Sequence, residues 1–129
     1  MGLSTFDEQI PLNATKTLVN GMGTTYQTLV NPPSNNLRID AILAANSDAI
    51  DHVLNIALFA GGDDFQIVSV NVPAGAGSGG VNPVDVLGSG PLPIQGGFVL
   101  WPGNSVDVQV EVAVVGGADV RITALGGSV

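Results

Sequence analysis

The chain has no cysteine, one histidine (His52) and only three cationic residues, Lys16, Arg38 and Arg121, in 129 residues. Each shortage removes a class of function. Without cysteine there are no disulfides, thiolate metal sites or thiol nucleophiles. A single imidazole excludes any site needing two histidines from one chain, including the several-histidine metal centre of a cupin-type jelly roll. Three cations against eleven carboxylates give a net charge of −8. Nucleic acid and anionic lipid are therefore not expected partners, because phosphate binding needs clustered Lys and Arg. Charged residues make up 11% of the chain, against roughly 25% in ordinary soluble domains. A domain of this size buries about two-thirds of its unfolded surface, and fourteen charges cannot cover the rest. A surface poor in charge is characteristic of interface cores, so contact with other subunits is expected.

No stretch reads as a membrane helix. Phe65–Val84 and Val86–Val106 carry no charge pattern against one at first sight, but Pro73, Pro83, Pro91, Pro93 and Pro102 break both, and neither can run as a helix of ~20 residues. MGLSTFDEQIPLNA lacks the basic and apolar regions of a signal peptide. The absence of cysteine suits assembly in a reducing cytoplasm.

What the chain does have is β-forming residues. Val, Ile and Thr number 18, 8 and 7, while Glu and Lys total three, which favours strands over helices. Gly and Pro are spread as punctuation. Residues 1–13 read as an N-terminal arm and 14–129 as one β-sandwich domain. Strands are expected at about 15–19, 23–30, 37–45, 52–60, 65–72, 98–101, 105–115 and 120–124, with turns at Asn20-Gly21, Gly61–Asp64, Pro102-Gly103 and Gly116-Gly117. Along 37–45, Leu37, Ile39, Ala41 and Leu43 share one face, while the other turns apolar at Ile42. Along 105–115, five valines from Val106 to Val114 point one way. Asn82-Pro83-Val84-Asp85 reads as a helix cap followed by about one turn, stopped at Gly88. About eight strands with regular turns point to an all-β, antiparallel β-sandwich that is jelly-roll-like, with an extended arm.

The candidate chemical motifs are few. Gly75-Ala-Gly-Ser-Gly-Gly80 fits G-x-G-x-x-G, but Pro83 and Gly88 leave no room for the long helix a dinucleotide site needs. Asp48, Asp51 and His52 lie close in sequence, and Asp63-Asp64 occupies another turn; these read as solvated turn acids rather than a Ca²⁺ loop. His52 has no evident serine partner, and a histidine opening a strand reads as a surface or interface group. Trp101 and Tyr26 could stack on a sugar, but the run Phe98-Val-Leu-Trp-Pro-Gly103 favours core or interface packing for Trp101. No cofactor, metal site or catalytic residue is expected.

The succession Val72-Pro-Ala-Gly-Ala-Gly77, Asn82-Pro-Val-Asp-Val-Leu87, Pro91-Leu-Pro93, Gly97-Phe-Val-Leu-Trp-Pro-Gly103, the valine run and a last strand to Gly127 resembles the small β-sandwich decoration (cement) proteins of tailed-bacteriophage capsids, over about residues 37–127. The resemblance implies a non-enzymatic virion structural protein on the capsid exterior, assembled as a homotrimer, partnered by the major capsid protein and stabilising the head. A tail, baseplate or head-fibre component, or a carbohydrate-binding β-sandwich, are the alternatives. The expected capsid or subunit contacts are Leu3, Phe6, Ile10 and Leu12 of the arm, and Trp101. The apolar second faces of 37–45 and 52–60 (Ile42, Ala44, Val53, Ala57, Phe59) require cover from the opposite sheet or another chain.

Overall fold

The computed structural model describes residues 11–22, 24–89 and 97–128. The strands are β1 (Pro11–Leu18), β2 (Gln27–Val30), β3 (Leu37–Asn46), β4 (His52–Ala60), β5 (Asp63–Val72), β6 (Val84–Asp85), β7 (Phe98–Leu100), β8 (Ser105–Val110) and β9 (Val120–Ser128), with one short helix, α1 (Val86–Ser89), after β6. One sheet runs β1-β9-β3, with β6 and β7 both on the far edge of β3; the other runs β2-β8-β4-β5. All pairs are antiparallel, and β4 with β5, β3 with β6 and β7, β2 with β8 and β1 with β9 are nested, while β3 with β9 and β4 with β8 join these hairpins within the two sheets. A long hairpin rolled upon itself gives this nesting, and the fold is a jelly roll.

The expected count of eight strands and the observed nine elements agree once β6 and β7 are compared. Both run antiparallel to β3, at Leu43–Ala44 and Leu37–Ile39 respectively. They are two pieces of one edge strand interrupted by residues 86–97. Opposite the interruption, β3 has a bulge: Ile39 pairs with Gly126 and Ala41 with Leu125, leaving Asp40 as the extra residue. A bulge shifts the side-chain alternation by one. Ile39 therefore faces the core before it, and Ile42 and Ala44 after it, all fully buried. The apolar second face expected on this strand is thus one core face with a step in it, and the opposite sheet of the same chain covers it.

The core lies between the sheets. Leu18, Ile39, Ile42 and Ile122 from one layer meet Leu54, Ile56, Val72, Val106 and Val108 from the other, all buried. Burying each such side chain stabilises by about 1.5–3 kcal/mol. Val86 and Leu87 of α1 join this core. The helix starts later than the sequence suggests. Asp85, not Asn82, caps it, its Oδ1 accepting from the Gly88 amide at 3.3 Å, and Gly88 lies within it.

Several strand boundaries differ from expectation; β2 begins only at Gln27, and β9 runs on to Ser128. β1 begins at Pro11, paired with Gly127, and Leu12 is half-buried against the core. Residues 11–13, expected in the arm, belong to β1, and Leu12 serves as a strand residue within the sandwich. The valine run ends as a strand at Val110. The amide of Glu111 makes a last bond to Val53 O at 3.1 Å, and beyond it only His52, the first residue of β4, remains. Val112 is consequently 58% exposed while Val114 turns back into the core.

The β4–β5 turn is two residues, Gly61-Gly62, with φ of 63° and 90°. Positive φ at both positions is the type I′ geometry that matches strand twist. It lets β5 start at Asp63, so Asp63 and Asp64 are strand residues.

Candidate functional site

The two ends of the sandwich differ in character. At one end lie the β3–β4 connection (residues 47–51) and the loops 73–83 and 111–119. At the other lie the β4–β5 turn, the 101–104 turn and the start of β1.

The first end holds the buried polar groups. Asp48 and His52 are nearly inaccessible, at 4% and 1% exposure, which corrects both expectations: Asp48 is not a solvated turn acid and His52 is not a surface group. His52 Nε2 lies 2.8 Å from Asp48 Oδ2. The same oxygen accepts from the Val115 amide at 3.1 Å, and Oδ1 accepts from the Ala49 amide at 2.7 Å. The His52 hydrogen bond, then the Val115 amide, hold the Asp48 carboxyl below the usual carboxylate range against the opposing effect of burial. Asn46 completes the unit. Its Oδ1 accepts from the Asp48 amide, and its Nδ2 donates to Ile50 O and Val72 O. His52 Nδ1 is buried without a partner.

Asp51 looks elsewhere. It accepts from the Ala74 amide at 2.9 Å and from Asn71 Nδ2 at 3.4 Å, and the Ala74 bond chiefly lowers its pKa. Asp48 and Asp51 therefore anchor two different loops and do not converge. Among the described residues no three of His, Asp or Glu are grouped to hold a metal ion. The glycine loop is likewise occupied with itself. The amides of Gly75, Ala76, Gly77, Ser78 and Val81 bond to Asn46 O, Pro73 O, Val81 O, Gly75 O and Ser78 O. They are not free to cradle a phosphate. A Cβ on Gly77, where φ is +86°, would stand 2.7 Å from Ala45 Cβ, so glycine here allows the loop to lie on β3.

The outward face of the β2-β8-β4-β5 sheet carries a second polar group that sequence reading missed. Asp107 of β8 pairs with Ala57, and Asp64 of β5 with Phe59. Across the small Ala57 the carboxyls of Asp64 and Asp107 share a hydrogen bond. Desolvation, then that bond and the charge of Asp107, push the Asp64 carboxyl up to about 6. Ser105 Oγ donates to Asp107 at 3.1 Å. Tyr26 is close enough to feel these charges. Its phenol is pushed up by burial and by the charges of Asp64, Asp107 and Glu111. Asn55 links Gln109 and Glu111 through Nδ2.

A pH prediction follows for Asp64. Its folded pKa lies above the ordinary value near 3.8, so the folded chain keeps a proton that the unfolded chain has released. This contribution to stability is greatest below about pH 4, declines as pH rises to about 6, and is gone above that. Asp64→Asn, which cannot ionise, is expected to match the parent near pH 4 and to exceed it near pH 7 in urea midpoint. Parallel curves would show that no proton is shared.

The second end holds the exposed aromatics. The chain has six aromatic side chains. Among the described residues those classed as exposed are Phe59 (36%), Phe65 (56%) and Trp101 (66%). Trp101 opens the 101–104 turn, which Asn104 N closes on Trp101 O at 3.2 Å. Ser105, next along, pairs with Phe59. Phe65 pairs with Leu58, on the core-facing side of the hairpin, yet is open. The β4–β5 tip therefore projects past the opposite sheet. Of the expected contact residues, Trp101 is out of the core and on this end, Leu12 is half-buried in β1, and Leu3, Phe6 and Ile10 lie outside the described residues. No family model, curated protein or solved structure matches the chain. The reading of function therefore rests on the molecule's own surface.

Proposed function

We propose that the chain is a non-enzymatic attachment protein, and specifically a capsid decoration protein that binds the outer surface of a tailed-phage head through its aromatic end and residues 1–10. The observation that carries the reading is the gathering of Phe59, Phe65 and Trp101 at one end. Pro11, where the described residues begin, lies at the same end, paired with Gly127 near the close of β9. Large exposed aromatics are costly to leave in water and are the residues on which interfaces concentrate their energy. The low charge and the resemblance to decoration proteins support the same reading. The jelly roll is compatible with it but does not select it, because one fold serves many functions.

The test is to mix the chain with bare heads assembled from the major capsid protein of the same genome. Co-sedimentation with those heads, and an increase in their melting temperature, are expected. A variant lacking residues 1–10 should lose co-sedimentation with its own melting temperature unchanged. Failure of the full chain to bind would end the capsid reading. A homotrimer is part of the proposal, resting on the resemblance and the low charge rather than on the apolar face of β3. Sedimentation equilibrium checks it directly.

The exposure of Trp101 also favours a second reading, as a carbohydrate-binding module. A tryptophan emission shift with soluble oligosaccharides, in the absence of any capsid binding, would select it.

A further inference from the structure

We propose that the aromatic end docks on a protein surface whose apolar pocket is rimmed by Lys and Arg side chains. The inference rests on the attachment reading above and adds the chemistry of the partner.

The apolar part is the β4–β5 tip with the neighbouring 101–104 turn. Phe59 faces outward from the sheet, Phe65 lies on the other side of the same hairpin, and Trp101 stands beside the strand that pairs with Phe59. A type I′ turn and a full ladder of pairs hold the tip, so two of the anchors are preorganised and lose little freedom on binding.

The electrostatic part fixes the sign of the partner. Asp63 and Asp64 stand on the tip itself, and Asp107 lies two residue pairs from Phe59. The cation of this end, Arg38, is spent on Asp40, with Nε to Oδ1 at 2.7 Å. Arg121 lies towards the opposite end and is paired with Asp119 at 3.2 Å. Lys16, opposite Ile122 in β1, also lies towards that end. The aromatic end is therefore anionic within a chain of net charge −8. A second copy brought to this face would set acid against acid, which disfavours self-association through it. A rim of Lys and Arg would instead neutralise the exposed Asp63 and Asp64, with the buried Asp107 adding its field from behind them, while the aromatics fill an apolar pocket, and would speed encounter.

Trp101 is the sole tryptophan and reports directly on the face. The experiment titrates the full chain with a synthetic amphipathic peptide of Leu and Lys. Two controls are the same peptide with Leu replaced by Ser, and with Lys replaced by Glu. The Leu/Lys peptide is expected to shift Trp101 emission to shorter wavelength, with affinity falling at least tenfold between 50 and 300 mM salt. The double variant Phe59→Ser, Phe65→Ser keeps the net charge and should bind at least tenfold more weakly, with circular dichroism checking its fold. Equal binding by the double variant would overturn the inference, because charge alone would then explain it. So would equal binding of the Leu/Glu peptide, no response to the Leu/Lys peptide, or a response to oligosaccharides only. Capsid binding that survives the double substitution would remove this face while leaving the capsid reading intact. Peptide binding without capsid binding would do the reverse.

Discussion

Replacing Gly126 by alanine is expected to destabilise the fold by about 3 kcal/mol, since overpacking commonly costs about 1–3 kcal/mol and more when backbone must move. Gly126 sits on β9 opposite the point where β3 bows around Asp40. A Cβ there would overlap the carbonyl oxygen of Arg38 and press on Ile39 Cα. These are backbone atoms in the central strand of the sheet, and they cannot turn aside as a flexible side chain would. Gly97 stands on the other flank of the same bulge. Its Cβ would overlap Ile39 O, and its φ of +78° adds strain for any other residue. The bulge is thus held between two glycines, one on each neighbouring segment. It is also what turns both Ile39 and Ile42 into the core. Thermal unfolding of Gly126→Ala should show a melting temperature lower by roughly 10 °C, from ~3–4 °C per kcal/mol at this chain length. Gly103→Ala, in a turn where a Cβ meets nothing within 4 Å, should lose far less. Gly126 has no positive φ, unlike Gly103, so similar losses at the two positions would mean that β3 yields cheaply to the added Cβ and that the bulge does not govern the cost.

That bulge also shows where sequence reading reached its limit. Period-two alternation located seven of the longer strands to within a few residues, because one buried face per strand writes itself into the chain. It could not register a one-residue step, so Ile42 and Ala44 read as a second apolar face. It could not tell that β6 and β7 are one interrupted strand, because their common partner β3 lies about forty residues earlier in the case of Ala44 and Val84. The valine run misled for a related reason: alternation continues to Val114, whereas pairing stops where β4 begins. The buried polar groups were legible only in part. Asp48 and His52 stand close in sequence, but acids in a turn ordinarily face water, and nothing local announces that Val115, sixty-seven residues on, donates to the same carboxylate. The Asp64–Asp107 contact is hidden likewise, since it needs a small residue, Ala57, on the strand between them.

His52→Ala is the other substitution expected to cost most. The ring is 1% exposed, and deleting a buried ring leaves a cavity worth about 3 kcal/mol or more. The loss has a second part. Asp48 Oδ2 would keep only its bond from the Val115 amide, and a buried carboxylate short of a donor is strongly unfavourable. Asp48 joins the β3–β4 connection to the 111–119 loop through Val115, and Asn46 joins the same connection to the end of β5 through Val72 O. Loosening this unit should therefore release one whole end of the sandwich rather than a single contact. Hydrogen exchange reads this directly: the Val115 and Ala49 amides should lose protection before the core amides of Ile56 and Val108. His52→Gln, whose side-chain amide can still donate to Asp48, should recover part of the loss. The contribution of Asp48 carries a pH signature opposite in sign to that of Asp64. Its pKa is lowered in the fold, so its stabilisation is complete above the ordinary carboxylate value and disappears as pH falls through the lowered one. The His52→Ala penalty should accordingly shrink under strongly acid conditions, where Asp48 is protonated in parent and variant alike. A penalty that stays constant from neutral to acid pH would mean that the cavity alone is responsible and that the hydrogen-bonded carboxylate contributes nothing.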